Sequence, residues 1–229
     1  MSGRLWMVAG PIGNLSEISE RATVALGAAQ AVIVEDSRVS GNLLKKLDIS
    51  TKLIVINEHT HSSKVASLAA EIAEGGDWAL LTDAGTPGIS DPGAELVDAV
   101  WEAGGTVTPV SGPSAVTTAL SASGFFAQRF AFLGFLPRKP GPARDVLTPF
   151  ADSSLTLVLF ESPHRWRKAL QICGEVFGGR RVAICRELTK VHEQICRGNL
   201  DDLAFIEKIP DKGEFTLVIE GQRRRLEKP

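Results

Sequence analysis

Five short apolar runs in the first half of the 229-residue chain alternate with longer amphipathic stretches. The runs are Leu5–Ala9, Ala31–Val34, Leu53–Ile56, Trp78–Leu81 and Val107–Val110. Between them Glu17–Ala29, Val39–Leu47, Lys64–Glu74 and Ala94–Glu102 carry apolar residues at helical spacing. This alternation is the signature of βαβ units, because parallel strands are joined only by a crossover long enough to hold a helix. It predicts an α/β protein whose N-terminal domain, residues 1–111, is a Rossmann-like parallel sheet.

Beyond Gly112-Pro113 the spacing changes. A helical stretch, Ser114–Ser123, leads into the runs Phe130–Leu136, Leu155–Phe160, Val182–Cys185, Gln194–Arg197 and Phe215–Ile219. Those after Cys185 follow one another too closely for an intervening helix, which predicts antiparallel pairing and a C-terminal mixed sheet with helices over residues 112–221. Pro137–Pro142, with three prolines and two basic residues in six, reads as a loop. The uncharged stretch 103–128 is too rich in glycine, proline and hydroxyl residues for a membrane span and reads as a buried centre. Residues 222–229 form a basic tail in which Arg223–Arg225 reads as a solvated end.

With 44% hydrophobic and 23% charged residues, disorder as the main state is excluded. Cys173, Cys185 and Cys196 are an odd count without a Cys-x-x-Cys pair, and no basic-then-apolar leader opens the chain, so a reducing, cytoplasmic setting is expected. The net charge of −2 conceals an asymmetry. Residues 1–111 hold 7 Lys and Arg against 14 Asp and Glu, whereas residues 112–229 hold 18 against 13. The second half suits an anionic partner.

Several segments hold residues that a plain connection does not need. Ala9-Gly10-Pro11-Ile12-Gly13-Asn14 follows the first strand, where glycine lets backbone approach a ligand, but it lacks the third glycine of a dinucleotide fingerprint and the Gly-Lys-Ser/Thr of a phosphate loop. Glu35-Asp36 stands 22 residues after Gly13, the place of a ribose-binding acid or of a helix-capping one. Thr82–Gly93 packs three glycines, two prolines and two aspartates into twelve residues, a rigid loop that exposes carboxylates and backbone amides. Ser111-Gly112-Pro113-Ser114-Ala115 fixes a bend, Ser114 is placed to cap the next helix, and the small side chains leave room for a ligand. Phe160-Glu161-Ser162-Pro163-His164-Arg165 follows a strand, with Arg165 and Lys168 on one helical face. Arg186–Glu193 mixes both charge signs between two strands. Glu58-His59-x-His61 lacks a third ligand, so a surface loop and no metal site are expected, and no Ser-His-Asp or Cys-His grouping stands out.

At these motifs the chain resembles the bacterial family of 16S ribosomal RNA 2′-O-ribose cytidine methyltransferases (small-subunit methyltransferase I), within the tetrapyrrole methylase superfamily. The likeness runs from about Leu5 to Gly221 and rests on Gly10–Asn14, Glu35–Arg38, Asp83–Gly93, Glu161–Arg165 and Arg186–Lys190; Gly10 and Ser37 stand where the family often shows Thr. The resemblance implies a two-domain tetrapyrrole-methylase-like fold, S-adenosyl-L-methionine bound in the cleft between the domains, a homodimer, and methylation of a cytidine ribose in the 16S rRNA of the small ribosomal subunit. On it, Pro11, Asp83, Ala84, Gly85, Ile89, Ser114, Ala115, Phe160 and Leu188 are expected to bind the cofactor, with their loops converging on one cleft. Arg138, Lys139, Arg144, Arg165 and Lys168 are expected to contact RNA phosphates. Glu161 and Lys190 are the candidates for activating the ribose hydroxyl, as a carboxylate and a lysine of lowered pKa. Methyl transfer from a sulfonium is a direct displacement that needs no covalent nucleophile. The alternatives are a tetrapyrrole-directed methyltransferase, opposed by the basic second half; a nicotinamide-dependent oxidoreductase resting on Glu35, opposed by the missing glycine; and a non-catalytic RNA-binding module, opposed by the number of ligand-type loops.

Overall fold

The computed structural model describes residues 2–57 and 59–222, so Glu58 and the Arg223–Arg225 triplet lie outside the described residues. The chain divides into two compact units at Ser114 and Ala115. Among the described residues no helix is long and apolar enough to cross a membrane.

In the first unit β1 (Arg4–Val8), β2 (Ala31–Val34), β3 (Lys52–Val55), β4 (Asp77–Leu81) and β5 (Thr106–Val110) form a parallel sheet in the order β3-β2-β4-β1-β5. Its helices are α1 (Glu20–Ala28), α2 (Ser37–Lys46), α3 (Ser62–Glu74) and α4 (Ala94–Glu102). The strand period of two sends alternate side chains into two cores. Val8, Val32 and Leu81 meet Leu26 of α1 and Leu44 of α2, whereas Leu5, Ile33 and Leu80 meet Ile72 of α3 and Leu96 of α4. The connections leaving β1 and β4 therefore depart to opposite faces, although the two strands are paired neighbours. Such a switch of direction opens a crevice at the carboxyl ends of the strands, where open α/β sheets take their ligands.

Two local expectations need correction. The stretch Glu17–Ala29 is not one helix: Asn14 caps a 3-10 turn at Leu15–Glu17, and Ser19 accepts from the Ala22 amide at 3.1 Å to start α1 afresh. Two capping side chains in succession satisfy amides that a continuous helix would bond internally. Nor is 103–128 a buried centre. β5 is a sheet edge with Pro109 exposed, and only one side of the following helix is buried, at Val116, Ala119, Leu120 and Ser123. Missing charge there reflects an edge position that tolerates proline and small residues, not depth.

The second unit holds α5 (Ala115–Ser123), β6 (Phe130–Phe135), α6 (Pro140–Leu147), β7 (Thr156–Glu161), α7 (Trp166–Phe177), β8 (Arg181–Arg186), β9 (Gln194–Asn199) and β10 (Phe215–Ile219). Its sheet runs β6-β7-β10-β8-β9, with β6 and β7 parallel and the remaining pairs antiparallel, so it is mixed. One face packs Leu157, Leu159, Ile184 and Leu217 against Leu147 of α6 and Leu170, Cys173 and Phe177 of α7. Trp166 stacks on Phe215 with ring centroids 4.7 Å apart and donates its indole N–H to Asp211 at 2.8 Å. Burial pushes the Cys173 and Cys185 thiols up to about 12, so neither supplies a thiolate at neutral pH. Pro137–Pro142 is only partly a loop, because α6 starts at Pro140. Prolines in a first turn lose no intrahelical bond, and their fixed φ suits helix entry.

Candidate functional site

The loops after β1, β4 and β5 are tied together. The Gly10 amide donates to the Gly85 carbonyl at 2.9 Å and the Gly85 amide to the Gly10 carbonyl at 3.2 Å. Gly85 sits at φ +77°, and a Cβ there would lie 3.4 Å from Cγ2 of Ile12. The Thr86 hydroxyl reaches the Pro113 carbonyl at 3.4 Å, which brings the turn before Ser114 into the same cluster. Among the expected cofactor residues, Pro11 and Gly85 are thus neighbours. Asp83, Ala84 and Ile89 stand exposed on the same loop, and Ser114 and Ala115 are where the two units meet in sequence. A largely apolar pocket of about 480 Å³ opens beside this bridge, between Met7, Thr86, Gly88, Val97, Pro109 and Gly112.

On the other side of Gly88 a pocket of about 540 Å³ is lined by Glu35, Asn57, Ser90 and Asp91. Asp36, by contrast, caps α2 through the Arg38 amide at 2.8 Å, and its bonds to Arg38 hold its carboxyl down at about 2. The pair therefore divides its work, with Asp36 capping and Glu35 facing the pocket. His61 likewise caps α3, accepting from the Ser63 amide at 3.2 Å. Among the described residues no group of three or more His, Cys, Asp or Glu is arranged to hold a metal ion.

Asp91, the second aspartate of the Thr82–Gly93 loop, is not among the residues that the sequence assigned to cofactor, RNA or catalysis. The residue before it, Ser90, has φ +61°, a backbone state that non-glycine residues rarely adopt and that clusters at functional sites. Burial first, and then the charge of Glu35, push the Asp91 carboxyl up to about 6. An Asp followed by Pro-Gly after a glycine-rich turn was the only available signal. Because the folded chain keeps this proton to higher pH than the unfolded chain, stability declines as pH rises from the ordinary aspartate value of about 4 to about 6. Asp91→Asn is expected to raise the urea midpoint at pH 7 and to lose that advantage below pH about 4; equal midpoints at pH 7 would count against a half-buried carboxylate whose charged form is disfavoured.

In the second unit Phe160 and Glu161, adjacent in β7, project to opposite faces of the sheet. Phe160 packs edge-on against Phe132 and Phe135, whereas Glu161 shares the α6 and α7 side with Leu157 and Leu159. Phe160 is expected at the cofactor and Glu161 at the ribose hydroxyl beside it, but the alternation of side chains along a strand turns the two away from each other. Glu161 is fully shielded and pairs at 3.3 Å with Arg165, which also donates to the Leu136 carbonyl. Burial raises its pKa and the Arg165 charge opposes the rise. Arg165 is the N-cap of α7 rather than part of its first turn, yet it, Arg138 and Lys168 all line one pocket of about 290 Å³. Lys139, the N-cap of α6, is exposed beside it. Arg144 is instead bound to Glu175 of α7, 2.6 Å away.

Leu188, buried, lies between Glu187 at φ +51° and Thr189 at φ +67°, so the loop joining β8 to β9 carries two strained residues. Lys190 bonds both Glu187 and Glu214 at 3.0 Å. Burial lowers its pKa, but the two carboxylates outweigh burial and raise it. The expected lysine of lowered pKa is therefore corrected: surrounded by acids, Lys190 keeps its proton.

The family described as Tetrapyrrole (Corrin/Porphyrin) Methylases matches residues 4–204. The "Ribosomal RNA small subunit methyltransferase I" of Halalkalibacterium halodurans is 41% identical over 98% of this chain and 78% of its own length. The protein of that name from Mycobacterium tuberculosis H37Rv is 44% identical, covering 96% and 78%, and that of Escherichia coli O157:H7 is 40% identical, covering 98% and 80%. Among solved structures, the uroporphyrin-III-C-methyltransferase of Thermus thermophilus superposes with a TM-score of 0.64 at 22% identity, covering 96% of this chain and 93% of that one. A cobalt precorrin-4 methyltransferase also gives 0.64, at 19% identity and 94% of each chain. At such identities these two show the fold alone. Methyltransferases of this family use S-adenosyl-L-methionine. The strand-end glycine bridge, the two-unit α/β architecture and near full-length identity converge: the chain belongs to the tetrapyrrole methylase family, among the small-subunit methyltransferases I.

Proposed function

We propose that the chain transfers the methyl group of S-adenosyl-L-methionine to the 2′-oxygen of a cytidine ribose in the 16S rRNA of the small ribosomal subunit, as a homodimer in the cytoplasm. The observation that carries this reading is identity of 40% or more over nearly the whole chain to proteins named as ribosomal RNA small subunit methyltransferases. The basic residues around the α6 and α7 pocket supply the matching polyanion surface.

The residues at the strand ends fit the cofactor. Glycines 10 and 85 bring bare backbone together, the adjoining pocket is mostly apolar, and Asp83 presents an exposed carboxylate, with no phosphate cradle. Bound there, the sulfonium supplies an electrophilic methyl group. The protein's task is to hold the acceptor oxygen in line with it at about 3–3.5 Å. Lys190, kept protonated by Glu187 and Glu214, is on this reading the cation offered to the ribose oxygen as it gathers negative charge, the hydroxyl proton passing to solvent. Glu161 acts at one remove, by fixing the Arg165 guanidinium.

Incubation with radiolabelled S-adenosylmethionine and small subunits from cells lacking the activity, followed by nucleoside analysis, tests the reading. Label is expected in 2′-O-methylcytidine; label in a base, or none, refutes it. The phosphate contacts have their own signature. Combined Arg138→Ala, Lys139→Ala and Lys168→Ala is expected to reduce the slope of log affinity against log salt by about 0.7–0.9 for each phosphate no longer neutralised. Arg144→Ala is expected to leave that slope unchanged, because Arg144 is engaged by Glu175. An unaltered slope in the triple variant removes these residues from the RNA surface.

A further inference from the structure

We propose that the pocket between α6 and α7 receives a single unstacked nucleotide of the RNA, its base against the apolar floor and its phosphate at the rim formed by Arg138 and Lys168. This deepens the reading of RNA as substrate and rests on it. The floor consists of Leu136, Ala143, Ala169 and Ile172, all buried. The rim is basic, and its charges differ in kind. Arg165 is neutralised by Glu161 and pinned by the Leu136 carbonyl, so its guanidinium is a fixed plane with about a third of the side chain exposed. The side chains of Arg138 and Lys168 make no ion pair or hydrogen bond among the described residues and leave two positive charges uncompensated at the mouth.

The volume separates the ligand classes. About 290 Å³ corresponds to roughly ten water volumes, far more than one phosphate fills, and it stands at the lower edge of pockets that hold small organic ligands. A phosphate alone would leave the apolar floor wet, and an uncharged base alone would leave both cations unmatched. A nucleotide satisfies both, since RNA recognition sets splayed bases on apolar walls and guanidinium planes while cations take the phosphate. Glu161 is then a positioning residue whose sealed carboxylate keeps the Arg165 plane in place.

The test is an amide-resolved NMR titration of the full chain, with S-adenosylmethionine present, against cytidine 5′-monophosphate, inorganic phosphate and cytidine in separate arms. The mononucleotide is expected to shift the amides of His164, Lys168, Ala169 and Ala143 and to bind at least about tenfold more tightly than phosphate or cytidine alone. Lys168→Glu, at an exposed position, is expected to weaken the mononucleotide about tenfold or more while the S-adenosylmethionine titration stays as in wild type. Shifts confined to other regions, phosphate binding as tightly as the mononucleotide, or an unaffected Lys168→Glu variant would overturn the pocket. Methylation of small subunits by the wild type is measured in parallel. Transfer to RNA without mononucleotide shifts removes the pocket and leaves the proposed function standing; the shifts without transfer support the pocket and remove the function.

Discussion

Gly85→Val is expected to abolish S-adenosyl-L-methionine binding, with at least a 100-fold loss of affinity, about 2.7 kcal/mol. Gly85 has φ +77°, where a β-branched residue is strained, and its Cβ would stand in contact with Ile12 at 3.4 Å, leaving little room for the two methyls beyond it. Relief requires the loop to move, and movement breaks the reciprocal hydrogen bonds with Gly10 that hold the β1 and β4 loops together. Strain of ~1–3 kcal/mol also lowers Tm, by about 2–4 °C per kcal/mol in a chain of this size. Gly104→Val separates the two effects. Gly104 has φ +80° with nothing within 4 Å of its Cβ, so the variant is expected to lose similar stability and keep cofactor affinity. Calorimetric titration of both variants, with thermal melts alongside, decides the matter. Equal affinities for Gly85→Val and wild type would detach this loop from the cofactor.

Lys190→Met is expected to slow single-turnover methyl transfer to small subunits about 100- to 1,000-fold, the usual effect of losing one preorganised charge at a developing oxyanion. Cofactor and subunit affinities are expected to stay near wild type, and Lys190→Arg, which keeps the cation, to recover most of the rate. Since Glu214 and Glu187 hold the ammonium protonated well above neutrality, no inflection from Lys190 is expected in the pH-rate profile between pH 6 and 9. A structural role, in which Lys190 only bridges Glu187 and Glu214, predicts a different result: lowered Tm, and a rate within threefold of wild type, about 0.6 kcal/mol of barrier. That outcome would leave positioning as the source of catalysis.

Local pattern determined much of this protein. The ten strands of the described residues, including the exact spans Ala31–Val34 and Phe215–Ile219, were legible because a mainly apolar run of four to seven residues between turn signals has few other uses. The tightly turned strand-end loops were legible because glycine and proline in such density serve backbone geometry, as the Gly10 and Gly85 bridge shows. What pattern does not contain is direction and pairing between distant segments. The motif that put Phe160 and Glu161 side by side concealed that a strand turns them to opposite faces. Nothing local announced that Glu214, 24 residues beyond Lys190, would join Glu187 in raising its pKa, or that Glu175 would take Arg144 out of the basic surface. Nor did the sequence around Asp91 reveal that Glu35, on another strand end, would help hold a proton on it to about pH 6. Residue type and spacing are read along the chain, whereas charge state and accessibility depend on through-space neighbours and burial, which only the folded arrangement of strands and helices supplies.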